Sequence, residues 1–341
     1  MITIGGLALG LLLGYSLQRG GYCMNTAFRS FFLEKDKGLV RAWVLVLLIN
    51  VAGVRLLTDL GVLQPAVAPL FWPAAVVGGF VFGAGMVLAG GCASGTYYRC
   101  GRGMLGSIAA LIGFAVGATI TDGGALTPLQ SSLRAATVDV GSSSATVFGV
   151  LGVESAALRW IVLGAAAVPA VIWLLRAPPD RFRIGWSRHK SGAAIGVLAL
   201  LTWLLSAMQG RDFGLSFTQP TVAVARFLVT GDTTGISVAS FIVIAVPVGA
   251  FLAAKAAGEA VLRAPDPKRL VRQAGGGLTM GVGASVAGGC NIGHSVTGVS
   301  TLGITAIIAT VFIILGCWAM TRIIVATESR QMNRSLHAAV E

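Results

Sequence analysis

Charged side chains are scarce in this sequence of 341 residues. Only 11% of the residues are Asp, Glu, Lys or Arg, and 55% are hydrophobic. A soluble globular chain has about 25% charged residues, so this composition excludes the soluble class. The net charge of +12 would point to nucleic acid as the partner of a soluble protein, but here the cations lie in short segments between apolar runs, where they report membrane orientation. We therefore predict an integral membrane protein with no nucleic-acid partner.

Metal-binding and disulfide patterns are also missing. The chain has five cysteines and three histidines, and no two cysteines form a Cys-x-x-Cys pair. Zinc sites and disulfide frameworks both need closely spaced or numerous cysteines. The sequence contains no Walker motif either, which a P-loop ATPase would need. We expect no metal, no cofactor and no coupling to ATP within this chain.

Stretches without charged residues predict an all-α polytopic membrane protein. Residues 273–321 form the longest such stretch, with 49 residues. One span needs about 20 residues, so this stretch contains two spans and a short connection. The nine predicted spans are 3–17 (continued by 20–32), 42–62, 73–90, 104–121, 157–175, 192–209, 236–256, 274–288 and 300–321.

Basic residues are concentrated in alternate connections between these spans. By the positive-inside rule those connections face the cytoplasm, so the N-terminus is predicted outside and the C-terminus inside. The first residues contain no basic segment of the kind that begins a signal peptide. The cytoplasmic set contains 18 of the 25 cations: Lys35, Lys37, Arg41, Arg99, Arg102, Arg176, Arg181, Arg183, Arg188, Lys190, Lys255, Arg263, Lys268, Arg269, Arg272, Arg322, Arg330 and Arg334.

A sequence repeat lies at an offset of 198 residues. Residues 78–95 align without a gap to residues 276–293, and nine of the eighteen pairs are identical, including the Ala-Gly-Gly-Cys-x-x-Gly of both copies. The predicted topology gives the two copies opposite directions. Inverted copies with broken helices at matching positions are typical of transporters with a substrate site near the midplane. We therefore divide the chain into a first repeat at 1–126, an outer segment with an extra span and a basic cytoplasmic loop at 127–190, and a second repeat with a cytoplasmic tail at 191–341.

Glycines interrupt the helix at each copy of the shared motif. Each Gly costs a helix about 1 kcal/mol relative to Ala, and Gly permits positive φ, so the chain is predicted to leave the helix there. Non-helical backbone at membrane depth survives only where it packs in protein or lines a polar cavity. The alternative is that the glycines serve only helix packing and that the thiols are inert. The predicted loop residues are Gly90, Gly91, Gly95, Gly288, Gly289 and Gly293.

Three thiols follow Gly-Gly pairs and are the predicted substrate-contacting residues. Cys92 and Cys290 lie in the repeated motif, and Cys23 follows Gly20 and Gly21 shortly before another helix-like run. A chain that restarts a helix after such a break points unpaired N–H groups and positive potential at its surroundings. Three broken helices meeting at the midplane would form a thiol-lined constriction suited to an anion.

Further candidate residues have ordinary structural alternatives. Arg29 and Arg226 follow breaks inside apolar segments, where an arginine is a functional candidate, but both can instead pair or snorkel. Residues near the Cys loops complete the candidate set. Asn291 directly follows Cys290, His294 either binds substrate or holds its loop, Cys100 is either a functional or an ordinary interfacial thiol, and Cys317 is expected in the core.

The segments AGGCASG (89–95), AGGCNIGHS (287–295) and GGYCMNTAFR (20–29) resemble the YeeE/YedE family of bacterial inner-membrane proteins. The resemblance implies an hourglass of helices with short loops buried from both sides and three cysteines on the central path, here Cys23, Cys92 and Cys290. It also implies uptake of thiosulfate across the bacterial inner membrane and a small TusA-like sulfur-carrier protein as a cytoplasmic partner. The outer segment 122–156 contains no functional motif.

The soft terminal sulfur of thiosulfate suits thiol donors. A neutral thiol is a weak donor with a polarisable sulfur, so a series of thiols can hold and release the anion in turn. We therefore expect a transporter and not an enzyme. Two alternatives stay open: a path for another sulfur or selenium oxyanion or small anion, and a sulfurtransferase that forms a Cys persulfide. The latter needs a lowered thiol pKa and a nearby base, and the Cys92 loop contains neither His nor Lys.

Overall fold

The computed structural model describes residues 2–138, 145–177 and 185–338, with side chains as far as Arg330. Within these ranges the regular structure is helical and contains no β-strand. The helices are α1 (Ile2–Gly20), α2 (Met24–Leu33), α3 (Gly38–Asp59), α4 (Trp72–Leu88), α5 (Ala93–Gly101), α6 (Leu105–Gly123), α7 (Thr127–Ala135), α8 (Val147–Val150), α9 (Ala156–Leu175), α10 (Arg188–Ala207), α11 (Thr218–Thr230), α12 (Val238–Ala256), α13 (Pro267–Ala287) and α14 (Ile304–Ala338), and a π-helical segment at Gly293–Gly298 precedes α14.

The prediction of an all-α polytopic membrane protein is confirmed. Seven helical segments of the described chain are long and apolar enough to cross a membrane. The helices α1 and α13 occupy the other two predicted intervals, so a total of nine crossings stays a prediction. The predicted continuation of the first span at 20–32 is a separate helix, α2, because the chain turns at Gly21 with φ 57°. The seven segments are Gly38–Asp59, Trp72–Gly101, Leu105–Gly123, Ala156–Leu175, Arg188–Ala207, Val238–Ala256 and Ile304–Arg330.

Both copies of the repeated motif end a helix on a left-handed glycine. The chain leaves α4 through Gly90 with φ 76°, and it leaves α13 through Gly288 with φ 94°. This conformation costs a residue with a side chain about 1–2 kcal/mol, so glycine is the residue that fits. Helical structure resumes at Ala93 and at Asn291. Each Cys therefore lies in a short extended connection between two helical pieces.

The helices α4 and α13 pack against each other in opposite directions. A Cβ at Gly78 would lie 2.4 Å from the Ala287 backbone, and one at Gly276 would lie 2.2 Å from that of Ala89. These glycines allow direct backbone contact, so the packing role holds for glycines within the helices. Residues 276 and 287 are separated by about 16 Å along a helix. The two broken ends therefore lie at opposite ends of the α4/α13 contact.

Helix pairs of one copy recur between the corresponding helices of the other copy. In α4, Gly79 faces Ala309 of α14, and at the shifted position in α13, Gly277 faces Ala110 of α6. The pair α1/α12 likewise corresponds to the pair α10/α3, and all of these pairs are among the main contacts of the fold. Two copies related by a two-fold rotation predict this pattern. The proposed boundaries of the copies, at 1–126 and 191–341, stay a prediction.

The outer segment contains the elements without a counterpart. It folds into α7 and the short α8, and α9 follows with most of its surface exposed. The helix α9 packs on α3, where the Trp160 indole N–H donates to Asp59 at 2.9 Å and Arg41 lies 4.8 Å from the centre of the Trp173 ring. Predictions that concern 139–144 and the basic residues Arg181 and Arg183 lie outside the described residues.

Candidate functional site

Two of the three predicted thiols lie side by side. The Cys23 and Cys92 Sγ atoms are 3.6 Å apart, and both residues are buried as free thiols. They come from sequence positions 69 residues apart and from two different helix breaks. Each is the residue that precedes a helix, Cys23 before α2 and Cys92 before α5, with extended backbone. Two helix N-termini, with their unpaired N–H groups, therefore begin at the thiol pair.

Gly95 makes room for this pair. A Cβ at position 95 would lie 2.7 Å from the Cys23 Sγ and 3.2 Å from the Cys92 Sγ. Real Cβ contacts are longer than these values, so a side chain here would displace at least one thiol. The Ser94 hydroxyl lies 3.5 Å from the Cys92 Sγ on the same turn. Gly95, the last glycine of the Ala-Gly-Gly-Cys-x-x-Gly motif, is thus explained by packing against the two thiols.

The third predicted thiol, Cys290, is a buried free thiol in the same core cluster as the pair. The Gly293 backbone N–H lies 3.5 Å from its Sγ, and within the described residues it makes no thiol–thiol contact. In the same buried cluster, the Tyr97 hydroxyl is 2.7 Å from the Thr221 hydroxyl. The structure therefore brings two thiols together and places the third in the same interior without direct contact.

Several buried polar atoms near the thiols have no hydrogen-bond partner in the described protein. They are the Tyr22 hydroxyl, both side-chain amide atoms of Asn291 and Nε2 of His294. Buried polar atoms are paired in most proteins. Tyr22 and Asn291 are the sequence neighbours of Cys23 and Cys290, so their unpaired atoms are available to hydrogen-bond water or a polar ligand.

The secondary candidates divide into different environments. His294 is buried, interacts with the Ala287 backbone and lies against Gly289, which agrees with the loop-holding alternative while leaving Nε2 free. Arg29 is half-buried on α2, and its Nε has no hydrogen-bond partner in the described residues. Cys100 is half-exposed near the end of α5. None of these positions is in contact with the thiol pair.

Two other residues follow their structural alternatives. Arg226 forms an ion pair with Asp122, with 3.2 Å between Nη2 and Oδ2. Cys317 is buried inside α14, and its Sγ lies 3.8 Å from the Asn25 side-chain oxygen. Arg226 is therefore neutralised by a neighbour, and Cys317 packs in the core as expected.

Sequence reasoning missed Arg99 and Thr221. Arg99 was assigned only to a cytoplasmic connection, but its guanidinium donates to the Gly90 carbonyl and lies 3.3 Å from the Thr26 hydroxyl. The available signal was spacing, because Arg99 follows Cys92 by seven residues, two helical turns on one face. Thr221 lies 198 residues after Cys23, at the counterpart position in the second copy. Among the described residues, no group of three or more His, Cys, Asp and Glu side chains is placed to hold a metal ion.

Comparison with known proteins supplies the family. The family model for sulphur transport matches residues 19–319. The thiosulfate transporter TsuA of Escherichia coli K12 is 34% identical over 349 aligned residues, which cover 99% of each chain. The thiosulfate transporter TsuA of Spirochaeta thermophila is also 34% identical, over 94% of this chain and 98% of its own.

A third relative matches over a shorter region. The probable transporter YedE of Escherichia coli K12 is 33% identical over 119 residues, or 34% of this chain and 29% of its own. The full-length matches and the domain match agree with the membrane-spanning fold. The chain belongs to the sulphur transport family, YeeE/YedE, and is a transporter rather than an enzyme.

Proposed function

We propose that the protein takes up thiosulfate across the bacterial inner membrane, and that Cys23, Cys92 and Cys290 pass the anion along by weak S–H hydrogen bonds. The observation that carries the proposal is the buried Cys23–Cys92 pair, with 3.6 Å between the sulfur atoms. The names of the two full-length relatives support thiosulfate as the substrate. The N-terminus would face the periplasm and the C-terminus the cytoplasm.

Paired thiols suit the chemistry of this anion. Thiosulfate combines one soft terminal sulfur with three hard oxygens. A thiol offers a weak donor and a polarisable surface to the soft atom. Conduction requires sites that are weak enough to release the ion, and several thiols in series meet that requirement better than a strong cationic clamp. The unpaired Tyr22 hydroxyl and Asn291 amide add donors for the oxygens.

The cytoplasmic side would receive the anion and hand it to a carrier. We propose a small TusA-like protein as the partner, and lipids around the exposed apolar helix faces. The first turns of α13 contain Lys268, Arg269 and Arg272, all exposed or half-exposed. Such a basic surface suits an acidic protein surface.

Replacing single thiols tests the relay. We expect Cys23→Ser and Cys92→Ser each to lower uptake of radiolabelled thiosulfate into proteoliposomes by about tenfold, the equivalent of one lost hydrogen-bonding site. Cys100→Ser is the matched control and should leave uptake unchanged, because Cys100 is half-exposed and away from the pair. Unchanged uptake in both thiol variants would contradict the relay.

Two further measurements separate the alternatives. Growth of a sulfur-auxotrophic host on thiosulfate, compared with sulfate, should depend on the protein only with thiosulfate. A sulfurtransferase would leave a persulfide, which intact-mass analysis after turnover detects as an increase of about 32 Da on a cysteine. We expect no such increase.

A further inference from the structure

Arg99 holds the broken end of α4 without a carboxylate partner. Its guanidinium donates to the Gly90 carbonyl, lies 3.3 Å from the Thr26 hydroxyl and is 5.8 Å from the centre of the Tyr98 ring. Among the described residues it forms no ion pair. A Cβ at Gly91, the residue before Cys92, would lie 3.1 Å from the Arg99 Nη1. A positive charge thus lies beside the thiol pair, and no described carboxylate neutralises it.

Arg134 makes the same kind of contacts at the broken end of α13. Its Nε donates to the Val286 carbonyl at 3.2 Å and its Nη2 donates to the Ser285 carbonyl. The guanidinium lies 5.3 Å from the centre of the Phe71 ring, and a Cβ at Gly288 would lie 3.5 Å from its Nη2. Among the described residues Arg134 forms no ion pair, and Asp122 is paired with Arg226 at 3.2 Å.

Arg99 and Arg134 lie at corresponding broken helix ends, but they do not occupy corresponding positions in the two sequence copies. The glycines at the two broken ends, Gly90 and Gly288, are counterparts at the offset of 198. The counterpart of Arg99 is Thr297, and Arg134 lies on α7, outside the repeated elements. Duplication of one sequence therefore did not supply both arginines. Two different elements each bring a guanidinium to carbonyl groups at the broken end of a helix: Arg99 to that of Gly90, and Arg134 to those of Ser285 and Val286.

Capping alone does not account for this arrangement. A left-handed glycine already brings backbone N–H groups to some of the unpaired carbonyl groups at a helix C-terminus, and water can hydrogen-bond the others. Arg99 and Arg134 are both half-buried, so each guanidinium loses part of its hydration while no carboxylate among the described residues pairs with it. A charge kept at both ends of a thiol path is explained if an anion approaches it. Each guanidinium has five N–H donors and uses two in the described contacts, so donors remain for oxyanion oxygens.

We propose that Arg99 and Arg134 form two oxyanion sites, one at each end of the thiol path. The inference rests on the proposed function, and the ligand class is a divalent sulfur oxyanion. The broken ends of α4 and α13 lie about 16 Å apart along the helices. One guanidinium therefore lies next to the loop that contains Cys92, and the other lies next to the loop that contains Cys290. Each arginine would hold the oxygens of the anion while its terminal sulfur moves to the nearest thiol. Because both guanidinium groups are partly used by carbonyls, each site holds the anion weakly enough to release it.

Kinetics of the purified protein in proteoliposomes test the two sites. We expect Arg134→Gln to raise the KM for thiosulfate about tenfold when substrate is added on the outer side. We expect Arg99→Gln to do the same for substrate on the inner side. Arg99→Lys and Arg134→Lys keep the charge but not the planar fork, and should raise KM by about threefold. Matched controls are Arg102→Gln, whose guanidinium is 4.0 Å from Glu259, and Arg211→Gln, an exposed cation; both should leave KM unchanged.

The thermal unfolding midpoint of each variant separates binding from capping. A KM that stays unchanged in all four Arg99 and Arg134 variants, while the unfolding midpoint falls, would overturn the proposal and leave only a structural cap. If a Gln variant does not fold, the KM and the unfolding midpoint of the corresponding Lys variant are compared instead. A wild-type protein that takes up no thiosulfate would refute the proposed function and these sites with it. Wild-type uptake with unaltered variant KM values would refute the arginine sites alone.

Discussion

A missing side chain determines the geometry of the thiol pair. Gly95 lies where a Cβ would be 2.7 Å from the Cys23 Sγ, so the two sulfur atoms approach each other only because position 95 has none. The sequence motif places this glycine three residues after Cys92, on the same face of α5. The last glycine of the motif therefore belongs to the site as much as the cysteine does.

Substituting this glycine separates site geometry from helix stability. We expect Gly95→Ala to lower thiosulfate uptake by at least about tenfold, because the new methyl group displaces the thiols. Gly164→Ala is the control, since a Cβ at Gly164 meets no atom within 4 Å and should stabilise α9 by about 1 kcal/mol. Full uptake by Gly95→Ala, measured on protein that folds, would show that the thiol spacing is not important.

The short distance between two sulfur atoms also predicts oxidation chemistry. Mild treatment with diamide should join Cys23 and Cys92 in a disulfide, since their sulfur atoms are 3.6 Å apart and need only a small approach. The two thiols lose two hydrogen atoms to the diamide, and the intact mass falls by about 2 Da. Uptake should stop and return after reduction with dithiothreitol. Cys92→Ser should be insensitive to diamide, and a wild type that keeps its uptake after oxidation would contradict this prediction.

Helices and their breaks were predictable to different degrees. Long apolar elements such as α6 and α12 coincide with charge-free stretches, because the membrane excludes charge over a fixed length. The breaks at Gly90 and Gly288 were predictable because glycine pairs interrupt a helical run. The short α7 was not predicted, since a nine-residue polar helix has no such signature. This helix matters because it carries Arg134. From the sequence alone, Arg134 is only one of the cations outside the predicted cytoplasmic set.

The sequence also did not predict which distant segments come into contact in the folded protein. The motifs identify Cys23 and Cys92 as similar environments, but a distance between segments 69 residues apart depends on how α2 and α5 pack. The role of Arg99 was missed for the same reason, because a cation next to the membrane edge was interpreted as a topology signal. The offset of 198 would have identified Thr221 if it had been extended beyond the strongest match.

The left-handed glycines predict a stability loss at the element scale. We expect Gly90→Ala and Gly288→Ala each to reduce stability by about 1–2 kcal/mol, because alanine is strained at φ 76° and 94°. Gly275→Ala is the control: it lies inside α13, where a Cβ meets no atom within 4 Å, and should raise stability slightly. Thermal unfolding in detergent measures all three. Equal midpoints for the loop variants and the control would show that these positions tolerate a side chain.

At the scale of the whole molecule, the structure consists of paired helices that recur in the two copies. The helices α4 and α13 run in opposite directions, with Gly78 against Ala287 and Gly276 against Ala89. Opposite directions at the centre agree with copies that enter the membrane from opposite sides. The proposed orientation of the whole chain depends on the distribution of basic residues and stays a prediction.

Labelling of spheroplasts tests the proposed membrane orientation of the chain. In a Cys100→Ser background, which removes the only thiol that is not buried, we introduce single cysteines as Ser132→Cys on α7 and Ser329→Cys on α14, both at exposed positions. A membrane-impermeant maleimide should label position 132 in spheroplasts and position 329 only after lysis. The background alone should stay unlabelled in both conditions. The opposite labelling pattern would reverse the proposed topology.

The exposed helix α9 has a consequence for how the chain is inserted during synthesis. It packs on α3 and leaves most of its surface to lipid, so the interior gains little from it. In the proposed topology each copy crosses the bilayer an even number of times, and α9 adds the single extra pass that delivers α10 to the opposite face. Without that pass the second copy would have the same membrane orientation as the first. The two broken helices would then open toward the same side of the membrane.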